Sequence, residues 1–259
     1  ATYSQIQNSG EFPTQSVIAP FNINPQIIMW DPATYPDVKT IADLKATGAK
    51  VRYFGGTAYM DYFTSTGILD QSQVDGSYDG TPANFVADGG KSAQQGFATS
   101  EPYFYENVLT DWGKPVAYQT IHDAGWTSYA QTLAAKPETI VSAADCLKLL
   151  VPIIQQAQVD YVADPSTTNA LILDLVAQYN NGWMYDAGQA DAAVALALEN
   201  GLIANSPDGT LGSFDSQRMD EFLALAIPIF EGLGEKLKPG LTSADLATNQ
   251  FIDPTIALP

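Results

Sequence analysis

Apolar residues fall in short continuous runs along the first half of the chain and recur three and four apart along the second. The run at 15–20, with Val17-Ile18-Ala19, and the run at 26–30, ending Ile27-Ile28-Met29-Trp30, predict strands. Because they do not alternate with polar residues, they suit a sheet covered on both faces. Before them, 1–13 is polar and predicts an irregular lead-in. Asp31-Pro32 to Pro36 is a turn-rich connector. Thr40-Ile41-Ala42-Asp43 has capping-box spacing for a short helix that Gly48 stops. Val51-Arg52-Tyr53-Phe54 then predicts a strand that breaks at Gly55-Gly56 and restarts at helical spacing through Phe63, with Gly67 as its end. Further strands are expected at 74–78, weakened by Gly76, at 96–99 and at 116–121. Helices are expected from Thr81-Pro82 to Asp88 and from Ser100. Strand and helix alternate from 50 to 121, the texture of a parallel α/β unit.

From Ser142 onward the period changes to that of helices, at 142–162, 167–179, 190–199 and 215–231, with Pro228 expected to kink the last. No internal repeat or low-complexity segment interrupts this order. Acidic pairs such as Asp215 with Asp220 and Glu221 lie at helix-face spacing and read as solvated.

Charge narrows the partners. The chain of 259 residues has 11 Lys+Arg against 29 Asp+Glu, a net charge of -18, so nucleic acid and anionic membrane surfaces are excluded. Cys146, the single cysteine, excludes an internal disulfide or a cysteine-based zinc site. Its helix has an apolar face, which predicts a buried thiol. No apolar run reaches the roughly 18 residues of a membrane span, and no signal segment opens the chain. Ala1 in first place suggests processing or a piece of a longer protein.

Catalytic chemistry finds no foothold. The single histidine, in His122-Asp123, lacks a Gly-x-Ser-x-Gly elbow, and there is no phosphate-loop, dinucleotide or zinc motif. Neither an enzyme nor a metal or cofactor is expected. The Gly55-Gly56-Thr57-Ala58 turn has binding potential: its glycines let backbone N–H groups approach a guest, and the next helix opens with unpaired donors.

Several motifs stand in an order that resembles a known family: Lys39-Thr40-Ile41-Ala42-Asp43-Leu44-Lys45 ahead of the Val51-to-Gly56 strand and turn; Gly96-Phe97-Ala98-Thr99-Ser100-Glu101-Pro102-Tyr103; Lys136-Pro137-Glu138; and Thr248-Asn249-Gln250-Phe251-Ile252-Asp253. Together, from about Ser16 to Ile256, they resemble the substrate-binding proteins of bacterial ABC transporters, in the nitrate, sulfonate, taurine and thiamine-precursor group. The resemblance implies an α/β, two-lobed periplasmic-binding-protein-like fold (type II) with a helical C-terminal part. Lobe two is 36–120; lobe one is 1–35 with 121–259, incomplete because the family's opening strand–helix units have no counterpart. It also implies an extracytoplasmic receptor, a lipoprotein in its full-length form, which delivers a small molecule to an ABC permease.

The ligand would lie between the lobes beyond the strand ends, touching Gly55, Gly56, Thr57, Ala58, Ser100, Glu101 and Tyr103, with Tyr59, Trp126 and Trp30 as stacking walls. Arg52 is the nearest basic residue, so a neutral, heteroaromatic or cationic ligand is favoured over a simple anion. The rival is a cytoplasmic ligand-sensing domain of a transcription regulator. The thiamine-pyrimidine synthases of fungi share the implied fold, but their cysteine-rich motif and several histidines are missing.

Overall fold

A computed structural model of the chain describes residues 1–180 and 182–259. They form a mixed α/β molecule with a helical C-terminal region, in two compact units: Pro25–Trp126, and Ala1–Asn24 together with Thr127–Pro259.

The Pro25–Trp126 unit is built on five strands, β2 (Gln26–Trp30), β3 (Val51–Arg52), β4 (Val74–Asp75), β5 (Ala93–Phe97) and β6 (Ala117–Thr120), in the order β4-β3-β5-β2-β6. β3 is parallel to β4 and β5, whereas β2 runs antiparallel to β5 and β6. The sheet is therefore mixed, not wholly parallel. Both edges of β2 are paired here, which places 25–35 in this unit and moves the crossings from the expected 35/36 and 120/121 to 24/25 and 126/127.

Local chemistry accounts for the connections. Thr40 and Asp43 form the reciprocal capping box, which leads through a 3-10 turn into α2 (Leu44–Thr47), closed by left-handed Gly48. Helix α3 (Ala58–Ser65) follows β3. Before α4 (Ala83–Ala87), Thr81 donates its hydroxyl to Asp79 and leaves Pro82 at the cap position. The strand expected at 96–99 begins earlier, at Ala93, and leads to α5 (Glu101–Tyr103) and a π turn over Phe104–Val108.

In the other unit, α1 (Thr2–Gln7) replaces the expected irregular lead-in. Its fixing points are tertiary: Gln5 donates to the carbonyls of Thr14 and Leu246, and the Thr2 N–H to that of Tyr129. β1 (Gln15–Ile18) pairs antiparallel with β7 (Leu133–Ala135), and on its other side Ser16 bridges Ala247. This two-stranded sheet packs through Val17 and Ile18 on Ile140 of α6 (Pro137–Ser142), Val151 of α7 (Ala144–Ala163) and Phe251. Ser142 does not cap α7, because its hydroxyl donates to the Thr139 carbonyl.

Helix α7 has two apolar stripes. Leu147, Val151 and Ile154 serve the core, while Cys146, Leu149, Leu150 and Ile153 lie on another face, where Leu149 is 71% and Ile153 63% exposed. Cys146 is thus exposed, not buried as its helix suggested. The remaining helices are α8 (Ser166–Tyr179), α9 (Ala187–Glu199), α10 (Ser216–Gly232) and α11 (Ser243–Leu246). Asp215 is the side-chain N-cap of α10, accepting from the Gln217 and Arg218 N–H groups, and not a merely solvated acid; Pro228 lies inside that helix.

Candidate functional site at the carboxyl ends of β3 and β5

Parallel neighbours send the segments that follow them to the same end of a sheet. Val51 pairs with Ala93 and Arg52 with Gln94, so the Gly55-Gly56 turn and the Ser100-Glu101 step leave the sheet side by side. The loop after β4 joins them. Phe54 bridges Ser77, its ring meets Tyr78 at 4.8 Å, and the Tyr78 N–H donates to the Tyr53 carbonyl.

Each glycine of the turn has a separate reason. A Cβ on Gly55 would stand 3.0 Å from the Gly76 carbonyl oxygen, whereas Gly56 has open space but a φ of 85°, in the left-handed region that penalises side chains. Thr57 sits at the N-cap of α3 but turns its hydroxyl back to the Phe54 carbonyl at 3.0 Å. The N-terminus of α3 is left without a side-chain cap. Ala58 is buried just inside it, while Gly55 and Gly56 are exposed.

The turn is pinned from below by β5. Gln95 accepts at one amide oxygen both the Phe54 N–H, at 3.1 Å, and the Tyr59 hydroxyl, at 2.5 Å. Gln94, on the opposite face of the strand, donates to the Tyr105 hydroxyl at 2.8 Å. Neither glutamine was picked out from the sequence. The available signal was two adjacent amides in a short run ahead of Gly96-Phe97-Ala98, both of which a central strand buries and so presses to find hydrogen-bond partners.

Glu101 lies across Gly96, whose missing side chain makes the room. A Cβ there would come within 3.0–3.2 Å of three Glu101 side-chain carbons. The carboxylate accepts the Phe97 N–H at 2.7 Å. Desolvation by burial raises its pKa, only partly opposed by that hydrogen bond. Tyr78 and Tyr105 are pushed well above the usual phenol range, by burial first and then, among smaller causes, by the Glu101 charge. Ser100 and Tyr103, on either side of Glu101 along the chain, are both half-buried; Ser100 makes no side-chain cap bond to α5.

The other aromatic candidates are placed differently. Tyr59 is buried and spends its hydroxyl on Gln95, so it shapes the turn instead of forming a wall. Trp126 follows β6, is buried, and packs on Tyr62 of α3 at 5.7 Å. Trp30 stands at the far end of the sheet: Gln26 of β2 pairs with Phe97, so Trp30 lies beyond the Met29–Gln94 pair, opposite the turns. It is core, not site. The exposed rings at the correct end are Phe54, 39% exposed, and Phe97, 37% exposed. Arg52 is engaged by Asp88 at 2.7 Å and by Asp75 at 3.8 Å, and it offers no uncommitted cation. Among the described residues no cluster of His, Cys, Asp and Glu is arranged to hold a metal ion.

No protein-family model matches the chain, and the curated proteins show no match. Solved structures do. A protein of Bordetella bronchiseptica RB50 matches with a TM-score of 0.53 and 16% identity over 97% of this chain and 77% of its own. A conserved Candida albicans gene product, described as defining a new family with the generic periplasmic binding protein structural fold, matches 97% of this chain and 78% of its own at 12% identity and a TM-score of 0.48. The first likeness is one of fold. Among the described residues no helix is long and apolar enough to cross a membrane.

Proposed function

We propose that the chain is the ligand-binding part of an extracytoplasmic solute receptor of the periplasmic-binding-protein kind, which captures a small molecule at the carboxyl ends of β3 and β5 and delivers it to an ABC importer. The observation that carries this reading is the adjacency of an uncapped α3 N-terminus and a half-buried Glu101 carboxylate, set side by side by parallel strands. The two supply donors and an acceptor, and the exposed rings of Phe54 and Phe97 supply apolar surface. A helix N-terminus contributes about 0.3–1 kcal/mol, against the roughly 8 kcal/mol of micromolar binding, so burial of the ligand against such rings has to supply most of the affinity. With Arg52 committed to Asp88, the balance favours a neutral, heteroaromatic or cationic ligand over a simple anion.

The proposal extends to the Ala1–Asn24 and Thr127–Pro259 unit, which we read as incomplete. Among the described residues its sheet has two strands, and α7 exposes an apolar stripe, an arrangement that covering polypeptide from outside these residues would complete. In its full-length form the receptor would be periplasmic or extracellular and lipid-anchored.

Native mass spectrometry of the protein purified from its own source tests the reading. A small molecule that copurifies with the wild type and is lost from Glu101→Ala supports it. A protein that is folded yet ligand-free, with a thermal midpoint unmoved by a panel of small solutes, refutes it.

A further inference from the structure

The chain passes between its two units twice, at 24/25 and 126/127. One side chain holds both passages on the same unit. Arg218, in the first turn of α10, donates from Nε to the Thr127 carbonyl at 2.9 Å and from Nη1 to the Asn22 carbonyl at 2.6 Å. Its Nη2 reaches the Ser128 carbonyl at 3.5 Å, and its guanidinium lies 3.9 Å over the Tyr129 ring. Asp215 sets the geometry from both sides: its N–H donates to the Tyr129 hydroxyl at 2.9 Å, and its carboxylate caps the turn that carries Arg218. A planar fork with several donors suits this task, because one head group must reach carbonyls on two segments far apart in sequence.

The backbone around these points is fixed on either side. Within the same unit as Arg218, the Asn22 N–H donates to the Leu202 carbonyl and the Thr2 N–H to that of Tyr129. Within the Pro25–Trp126 unit, the Pro25 carbonyl accepts from Ala98, that of Gln26 from Ile121, and that of Ile121 from Trp126. We propose that Arg218 is the positioning residue of both crossings: it fastens Asn22 and Thr127 to α10 and thereby confines the joints of the molecule to residues 23–24 and to the 126–127 peptide. This goes beyond the receptor reading and does not depend on it.

Arg218→Met keeps the apolar stem and removes the donors; Arg218→Lys keeps the charge but replaces the two spaced nitrogens that reach Thr127 and Asn22 by a single one. In both variants, amide hydrogen exchange at Asn22 and Tyr129 is expected to quicken by roughly tenfold or more, the scale of losing hydrogen bonds to a charged group. Exchange at Ile121 and Trp126 is expected to stay at the wild-type rate. Spin labels on the native, exposed Cys146 and on Asp37→Cys report the second readout, in which the Arg218 variants broaden the inter-label distance distribution. Val151→Ala, a core truncation away from the crossings, serves as control: it lowers the thermal midpoint without broadening the distribution. Should Arg218→Met not fold, Arg218→Lys carries the same two readouts. Unchanged exchange at Asn22 and Tyr129, or a distribution no broader than that of Val151→Ala, would overturn the assignment.

Discussion

Replacing Gly96 by alanine puts one methyl group where Glu101 lies. The new Cβ would meet Glu101 Cγ at 3.0 Å, Cδ at 3.1 Å and Cβ at 3.2 Å, each closer than ordinary carbon contact, so the side chain has to move by some tenths of an ångström. That movement strains the 2.7 Å bond from the Phe97 N–H. Overpacking of this kind costs about 1–3 kcal/mol, and a weakened hydrogen bond to a partly exposed carboxylate adds about 1 kcal/mol at most. We therefore expect Gly96→Ala to cost about 2 kcal/mol, a fall in thermal midpoint of about 4–8 °C for a chain of this size. The backbone of Gly96 is not in the left-handed region, so the strand itself accepts alanine. A Glu101→Ala background removes the Cγ and Cδ contacts and leaves only the Cβ at 3.2 Å, which a shift of a few tenths of an ångström relieves, so there the same change should be close to neutral, helped by the usual preference for alanine over glycine within a strand. A double-mutant cycle by denaturant unfolding reads the difference directly as a coupling energy of about 2 kcal/mol. Additive effects, with coupling below about 0.5 kcal/mol, would refute the view that Gly96 exists to seat the carboxylate.

Glu101 also sets a pH signature. Its folded pKa is raised above 4.5, so the stabilisation it contributes is fully present below its unfolded value and lost as pH rises through the folded one. Wild type should gain on Glu101→Gln as pH falls from 7 toward 4.5, with a slope limited to about 1.4 kcal/mol per pH unit; a flat or reversed difference in unfolding free energy rules this out. Tyr59→Phe removes one hydroxyl from the doubly accepting Gln95 oxygen and should cost about 0.5–1.5 kcal/mol in denaturant unfolding, with no change in denaturant slope. Cys146 should react with an aromatic disulfide reagent in the native protein as fast as a free thiol does, whereas protection until unfolding would contradict its exposure.

Much of the Pro25–Trp126 unit was legible because its signals are local. The Thr40 capping box, the stops at Gly48 and Gly67, and the strand–Gly–Gly–helix turn each depend on residues within a few positions of one another. What escaped depends on distant partners. Helix α1 has few apolar residues and is held by Gln5 reaching Leu246, and β7 is a three-residue strand only because β1 lies beside it. Cys146 illustrates a further limit. Two stripes at helical spacing run along α7, and periodicity cannot say which one the core takes. At the candidate site, the turn and Glu101 could be read from motifs, but their support could not. Gln95 is an ordinary amide until the register places it under Phe54 and Tyr59.

The outer stripe of α7 has a consequence for how copies of the chain behave in electrolyte. A net charge of -18 keeps molecules apart at low ionic strength, where the screening length reaches about 30 Å at 0.01 M. At 1 M it falls to about 3 Å, and sulfate or phosphate then favours burial of apolar surface. Leu149 and Ile153 are uncharged and do not weaken with the field. Self-association through that face should therefore grow with salt, in the opposite sense to an assembly held by charge, and Leu149→Lys with Ile153→Lys should abolish the rise.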